Sequence, residues 1–511
     1  MNRRQRIVHR RVIIRGDLIL QTATHLGDGD SEGATDMALL RDGREPSMVL
    51  LPGASIAGAL RSYLREHRHG IFGAEQAHGL TETLFGGQKS DDEGYQSPLI
   101  ANDALAKPST YELRDGVKID GRTRTATDKA KYDLELIAAG TTFPLLFELV
   151  FVYQVDPQGE RIALDAQLNY EQQLLTGLAT ALDGLARGEI ALGMKKRRGF
   201  GQCRVAEWQV WDFDLTRHDD LFVWLAFDQS TVSALGVAHR AGNDIANLLG
   251  KVITLPQDQR EKLTLEATFT LDGSMQIRSG QDTTVLAPDV GHLHAHLPDG
   301  AAAPIIAGTS LAGVLRHRAK RIANTLVAGS GAAYTQRMFG RVGASGRRAG
   351  DKGQVSRLLV HEAVIDQANT DLVQNRVSID RFTGGALDGA LFNEQPVFAK
   401  PETRVTLTID LFKPKADEQA MLLLLLKDLW TGDLPIGGES SIGRGRLRGL
   451  NATLKRNGTL MAEFNGDGTR VTLAHGDSET LNTLVKQLPD ALRGVLAQST
   501  QSKKEATDGN A

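Results

Sequence analysis

Two short stretches have the residue types to grip an anion. PGASIAGALR (Pro52–Arg61) and AGTSLAGVLR (Ala307–Arg316) share Gly, Ser, Ala, Gly, Leu and Arg in register, about half a chain apart. Gly53 and Gly308 allow a tight turn into a helix. Ser55 and Ser310 are placed as N-caps, Gly58 and Gly313 follow one turn later, and Arg61 and Arg316 close the stretches. Free N–H groups and the dipole at such a helix start favour a phosphate. Close packing of helix on sheet fits the same letters, and both readings stay open. Two further loops join glycine to cations. GMKKRRGFGQ (Gly193–Gln202) carries Lys195, Lys196, Arg197 and Arg198, and GGESSIGRGR (Gly437–Arg446) carries Arg444 and Arg446. Flexible backbone with cations can wrap a phosphate chain, and Phe200 is placed to stack on a base. A tight turn with a solvated rim is the plain alternative.

Other chemistry is thin. The chain has no Walker A sequence, no CxxC pair and no HExxH. His292, His294 and His296 (HLHAH) recur at every second residue, open to a zinc site or to an ordinary half-exposed strand. The single cysteine, Cys203, excludes an intramolecular disulfide and suits a reducing compartment, where it reads as a small buried hydrophobe. Apolar runs are too short to span a bilayer, and no apolar leader core follows the basic start, so a soluble cytoplasmic protein is expected. The net charge is −3, so any attraction to nucleic acid must come from local basic clusters beside glycines.

A duplicated chain must position these loops. LFGG (Leu84–Gly87) answers to MFGR (Met338–Arg341), PLIANDA (Pro98–Ala104) to RLLVHEA (Arg357–Ala363), and KIDGRT (Lys118–Thr123) to SIDRFT (Ser378–Thr383), in the same order. Strand alternation at Val12–Leu20, helical periodicity at Ser55–Glu66, and the apolar runs that follow predict β-α-β, an insertion, then β-α-β. The fold class is α+β, two tandem ferredoxin-like domains. The first spans 1–217 with a polar, irregular insertion at about 108–140; the second spans 262–456 with an insertion at about 371–400. Residues 218–261 form a connecting strand and helix, 457–498 a terminal strand and helix, and 499–511 a disordered tail.

These parts resemble the RAMP superfamily, the backbone subunits of type III CRISPR effector complexes. The motifs are HLG…TDMALLRD…PGASIAGALR, the IDGRT and IDRFTGG insertions, and the closing GFG and GRG loops. Two fused copies look like the tandem subunits of type III-D effectors. The resemblance implies RRM-like palms whose insertions are thumbs. It implies a guide RNA gripped by the helix starts and glycine loops, and thumbs, each a protruding hairpin, that displace base pairs of the guide–target duplex. Arg122 and Arg124 lie in the first thumb, and Asp380, Arg381 and Phe382 in the second. The matching cleavage residues are Asp36 and Asp289, acting on complementary target RNA with a divalent metal of Mg2+ type and no tightly bound cofactor. Asp28 and Asp30 are neighbouring carboxylates. Implied partners are other RAMP backbone subunits and a large subunit, with no membrane. The chain departs from the pattern where the first thumb reads IDGRT and where His294-Ala295 replaces Arg41-Asp42. The alternatives are a purely structural RNA-binding subunit, a guide-precursor nuclease using His25 or His9, and a duplicated enzyme for a phosphorylated metabolite.

Overall fold

The computed structural model describes residues 7–508, apart from 30–35, 75–78, 88–95, 122, 124, 157, 227–238, 251–252, 280–287, 342 and 344–352; side chains are described to residue 501. In the first copy the order is β1 (Val8–Leu20), α1 (Gly53–His69), β2 (Leu99–Ala101), β3 (Thr142–Val152), α2 (Leu164–Ala186) and β4 (Cys203–Asp214). The sheet runs β2-β3-β1-β4, antiparallel throughout, the ferredoxin-like order. Alternation along β1 sends Val12, Ile14, Leu18 and Leu20 to one face. There they meet Ile56, Leu60 and Leu64 of α1 and Leu174, Leu178 and Leu182 of α2, spaced one helical turn apart. Ile13 faces the other way, onto Trp211 and Phe213, and Trp224 of the helix His218–Ala226 packs against this second layer.

The second copy repeats the order with β5 (Lys262–Asp272), α3 (Gly308–Leu326), β6 (Leu358–Val360), β7 (Arg404–Phe412), α4 (Ala416–Trp430) and β8 (Arg446–Arg456). Its sheet runs β6-β7-β5-β8 and continues through Thr459–Gly466 and Val471–His475. The connecting segment also adds a strand, Arg240–Gly242, beside β4.

Both insertions are hairpins, as the resemblance implies, and the first is not the irregular chain that its pattern suggests. Tyr111–Ile119 pairs with Ala126–Ile137, and Gln374–Ile379 with Ala386–Gln395. Their polar faces hid the strands because a two-stranded ribbon exposes most of its side chains. The terminal helix, Ser478–Asp508, runs through most of the tail expected to be disordered. Lys503, Lys504, Glu505 and Ala506 favour helix, and an established helix propagates readily into such residues. No helix among the described residues is long and apolar enough to cross a membrane.

Candidate nucleic-acid interface

A groove of about 650 Å³ in the first copy is where the expected grip converges. Ser55 and Gly58 of α1, Asp28 and Asp36 of the loop after β1, and Gly193 and Lys196 of the closing loop all line it. The glycines divide into two kinds. A Cβ on Gly53 would fall on the Ala101 carbonyl, and one on Gly308 on the Arg198 and Val360 carbonyls, so these two serve close packing. A Cβ on Gly58 or Gly313 would meet no heavy atom within 4 Å. A glycine inside a helix costs about 1 kcal/mol relative to alanine. Nothing inside the described chain compensates that cost at Gly58 or Gly313, and Gly58 faces the groove.

The capping expectation is overturned. Both helices start two residues earlier, after Pro52 and Ala307, with no side-chain cap, so Ser55 and Ser310 lie inside the first turn. In α1 the Gly53 N–H donates to Asp103 Oδ1 at 2.7 Å, and the N–H groups of Ser55 and Ile56 donate to Pro52 O. What α1 offers the groove is therefore the exposed Ser55 side chain and the bare Gly58 surface, more than a fan of free donors.

Most of the expected cations have structural work. Arg61 donates to Gly86 O at 2.9 Å and Arg316 to Gly340 O at 3.0 Å, each bracing the glycine turn that ends the next short helix. Lys195 donates to Tyr132 Oη at 2.7 Å. Arg197 stacks on Phe412 of the second copy, 4.0 Å from the ring centre, and Arg198 donates to Phe339 O at 3.3 Å. Burial first, and then the charge of Arg316, push the Arg198 guanidinium down to about 10. Phe200 is 2% exposed among Ala23, Leu134 and Leu136, so it cannot stack on a base. Arg444 is buried against Glu394, Gln374 and Glu439, which removes it from any phosphate. Lys196 and Arg446 remain exposed, and Lys196 faces the groove.

Asp36 and Asp289 occupy equivalent places at the feet of the two thumbs. Asp36 Oδ2 accepts the Asp133 N–H at 2.9 Å, and Asp289 Oδ2 accepts the Asn393 N–H at 2.8 Å. The next residues, Met37 and Val290, each form a parallel bridge to the thumb strand. Both carboxylates are exposed, and among the described residues Oδ1 of each has no hydrogen-bond partner. The two sites differ in one neighbour. Asn393 Oδ1 accepts the Asp289 N–H at 2.7 Å. Asp133 instead faces Asp115 across the hairpin, and its carboxyl is held above the usual range by desolvation and then by Asp115. Sequence reading missed Asp133, because only the hairpin register brings it to Asp36. Arg41 pairs with Glu135 rather than Asp42, and stacks on Tyr111. Asp30 lies outside the described residues.

The three histidines of HLHAH face different partners. His292 is buried, its Nδ1 accepting the Ile277 N–H and its Nε2 facing Ile305 O, and burial pushes it down to about 4. His294 bonds to His292 O, and His296 to Glu112 of the first thumb. A shared zinc is therefore not assembled. His25 lines the groove, largely buried with its Nδ1 against Glu135 O, and His9 pairs with Glu171 in a separate cavity. Cys203 is buried, as expected, and burial pushes its thiol up to about 12.

At the second thumb tip, Asp380 accepts from the Phe382 N–H and the Thr383 hydroxyl, making it a turn former; these bonds hold its carboxyl below the usual range. Arg381 is exposed, and Phe382 is 97% exposed. An aromatic ring this bare suits insertion between bases. The first tip bends to His317 of α3, where a Cβ on Gly121 would lie 2.9 Å from the ring. Arg122 and Arg124 lie outside the described residues.

A family model for the RAMP superfamily matches residues 17–204 and 268–448, more than two thirds of the chain and both copies. No curated protein matches the chain.

Proposed function

The chain belongs to the RAMP superfamily, a family of CRISPR-associated RNA-binding subunits, and from this we propose that it is a tandem backbone subunit of a type III CRISPR ribonucleoprotein, type III-D-like, which holds guide RNA and cleaves complementary target RNA at two positions. The observation that carries this reading is the groove in which the bare Gly58, Lys196 and Asp36 meet, with Gly313 and Asp289 repeating the pattern.

RNA presents a 2′-hydroxyl beside every scissile phosphate. A thumb that displaces a nucleotide frees its backbone to rotate until that oxygen lies in line with phosphorus. Asp36 takes the hydroxyl proton as the 2′-oxygen attacks, the bond to the 5′-oxygen breaks, that oxygen takes a proton from water, and the products are a 2′,3′-cyclic phosphate and a 5′-hydroxyl. Asp289 does the same at the second thumb. Among the described residues no group of three His, Cys, Asp or Glu side chains could hold a metal by itself. A hard cation of Mg2+ type would need phosphate oxygens and water to complete its shell, with Asp36 or Asp289 serving as its carboxylate ligand instead of as proton acceptor. Bound there, such a cation would stabilise charge on the leaving oxygen. The second carboxylate at Asp133, beside Asp115 and Lys131, favours the first site, and its replacement by Asn393 supports a second reading, in which the second copy only holds RNA.

The test is cleavage of end-labelled target by the guide-loaded complex with magnesium, comparing wild type, Asp36→Ala, Asp289→Ala and the double change. Each single change is expected to remove one distinct band while target binding persists. Survival of every band in the double variant would leave the chain a structural RNA-binding subunit.

A further inference from the structure

The two thumbs are fastened differently. In the second, Glu394 of the thumb is fully buried and pairs with Arg376 of the same hairpin at 2.5 Å and with Arg444 of the closing loop, so this thumb is held within its own copy. The first thumb is tied to its own copy at its foot, through Arg41–Glu135 and Lys195–Tyr132, and in addition to the other copy. Arg114 of its outgoing strand pairs with Glu112, two residues back, at 2.8 Å, and with Glu362 of the second copy. All three side chains are more than nine-tenths buried. Glu112 reaches further into the second copy, accepting the His296 N–H at 2.8 Å. The guanidinium lies 5.2 Å from the Phe200 ring centre, and a Cβ on Gly199 would lie 2.7 Å from the Glu362 nitrogen. Thumb, closing loop and second palm therefore meet on one buried cation.

We propose that Arg114, through Glu112 and Glu362, is a positioning residue that fixes the first thumb on the second palm and so sets the spacing between the two displaced target nucleotides. The proposal rests on the RNA-guided reading above. Two buried carboxylates need the cation, and a fork of fixed geometry satisfies both, so the hairpin has one seat on the second copy. The second thumb, clamped locally, does not depend on that seat.

The experiment scans 2-aminopurine along a non-cleavable target bound to the guide-loaded complex, and reads its fluorescence, which rises where a base is unstacked. Wild type is expected to give two bright positions. Glu362→Gln, nearly isosteric, should lower or spread the first signal by about tenfold, the change carried by one lost charge-assisted hydrogen bond. It should leave the second signal in place. Glu394→Gln should do the reverse, and Arg114→Lys, which keeps the charge but loses the fork, should fall between wild type and Glu362→Gln. The second signal reports that the variant is folded and loaded. If Glu362→Gln leaves both signals unchanged, or weakens both equally, the positioning role is overturned. If wild type shows no bright position, the RNA-guided reading itself has failed, and the proposal falls with it.

Discussion

Gly58 offers the sharpest test of whether the groove is a ligand surface, because stability and binding should move in opposite directions. A methyl group there meets no heavy atom within 4 Å, so Gly58→Ala adds no clash. It removes the penalty of glycine inside a helix and should stabilise the protein by about 1 kcal/mol. For a domain of this size that is a rise in melting temperature of about 2–4 °C. RNA packed against the bare Cα must then retreat or strain, at about 1–3 kcal/mol, so guide affinity should fall by about 5- to 150-fold. Gly53→Ala is the control: its methyl would sit on the Ala101 carbonyl, so it should destabilise the fold. Thermal unfolding and filter binding at fixed salt read both quantities. A Gly58→Ala protein that is more stable and binds guide RNA as tightly as wild type would refute the argument that this glycine is kept for a ligand. One that is less stable would show that the glycine serves packing instead.

The same contrast between surface and interior separates the basic residues of the first closing loop. Lys196→Ala should weaken RNA binding and lower the salt dependence of affinity by about one counterion, measured from binding at several salt concentrations. Arg198→Ala should leave that slope unchanged and instead cost about 1–2 kcal/mol of stability in urea unfolding, because its guanidinium is spent on Phe339 O between the copies. His292 sets a pH dependence. Burial lowers it from 6.5 to about 4 in the folded protein, so between those values the unfolded chain binds the extra proton. Stability from this group is intact above pH 6.5 and declines as pH falls towards 4, by roughly 3 kcal/mol in all. Unfolding of His292→Gln should therefore lose less stability than wild type across that window.

The fold was legible because it is written twice. Alternation in Val12–Leu20 and the i, i+4 spacing of Ile56, Leu60 and Leu64 are local signals, and each recurs in order half a chain later. Pattern alone marked the thumbs only as insertions, since strands exposed on both faces carry no clean alternation, and their hairpin form came from the resemblance. Asp36 and Asp289 could be matched from spacing and resemblance. Their partners could not, because Asp133 and Asn393 arrive through a hairpin register that no local pattern states. The cations misled for a related reason. A run such as KKRR reads as a solvated face, whereas Arg197 and Arg198 lie against a surface, Phe412 and Phe339, supplied by the other copy.

The middle letter of the closing loops carries the same lesson at one position. Phe200 and Arg444 are equivalent, and so are the thumb residues beneath them, Leu134 and Glu394, since Met37 bridges to the first and Val290 to the second. Phe200 on Leu134 is an apolar contact, and Arg444 on Glu394 is a buried ion pair. A buried pair and a well-packed apolar replacement of similar volume are often close in energy. Half of the exchange in the first copy, Phe200→Arg or Leu134→Glu alone, would bury a charge without its partner, at about 3–5 kcal/mol. In the second copy Arg376 and Glu439 would still face the charge that remained, so the constraint that the two positions change together is strongest in the first. What the loops hold in common is the flanking glycines, Gly199 and Gly201 against Gly443 and Gly445, all at positive φ. The shared requirement is the turn that returns the chain to the sheet beneath a thumb. The residue between the glycines is chosen by the foot of its own thumb, which is why reading Phe200 as a base-stacking ring and Arg444 as a phosphate ligand assigned to RNA two residues whose partner is the protein.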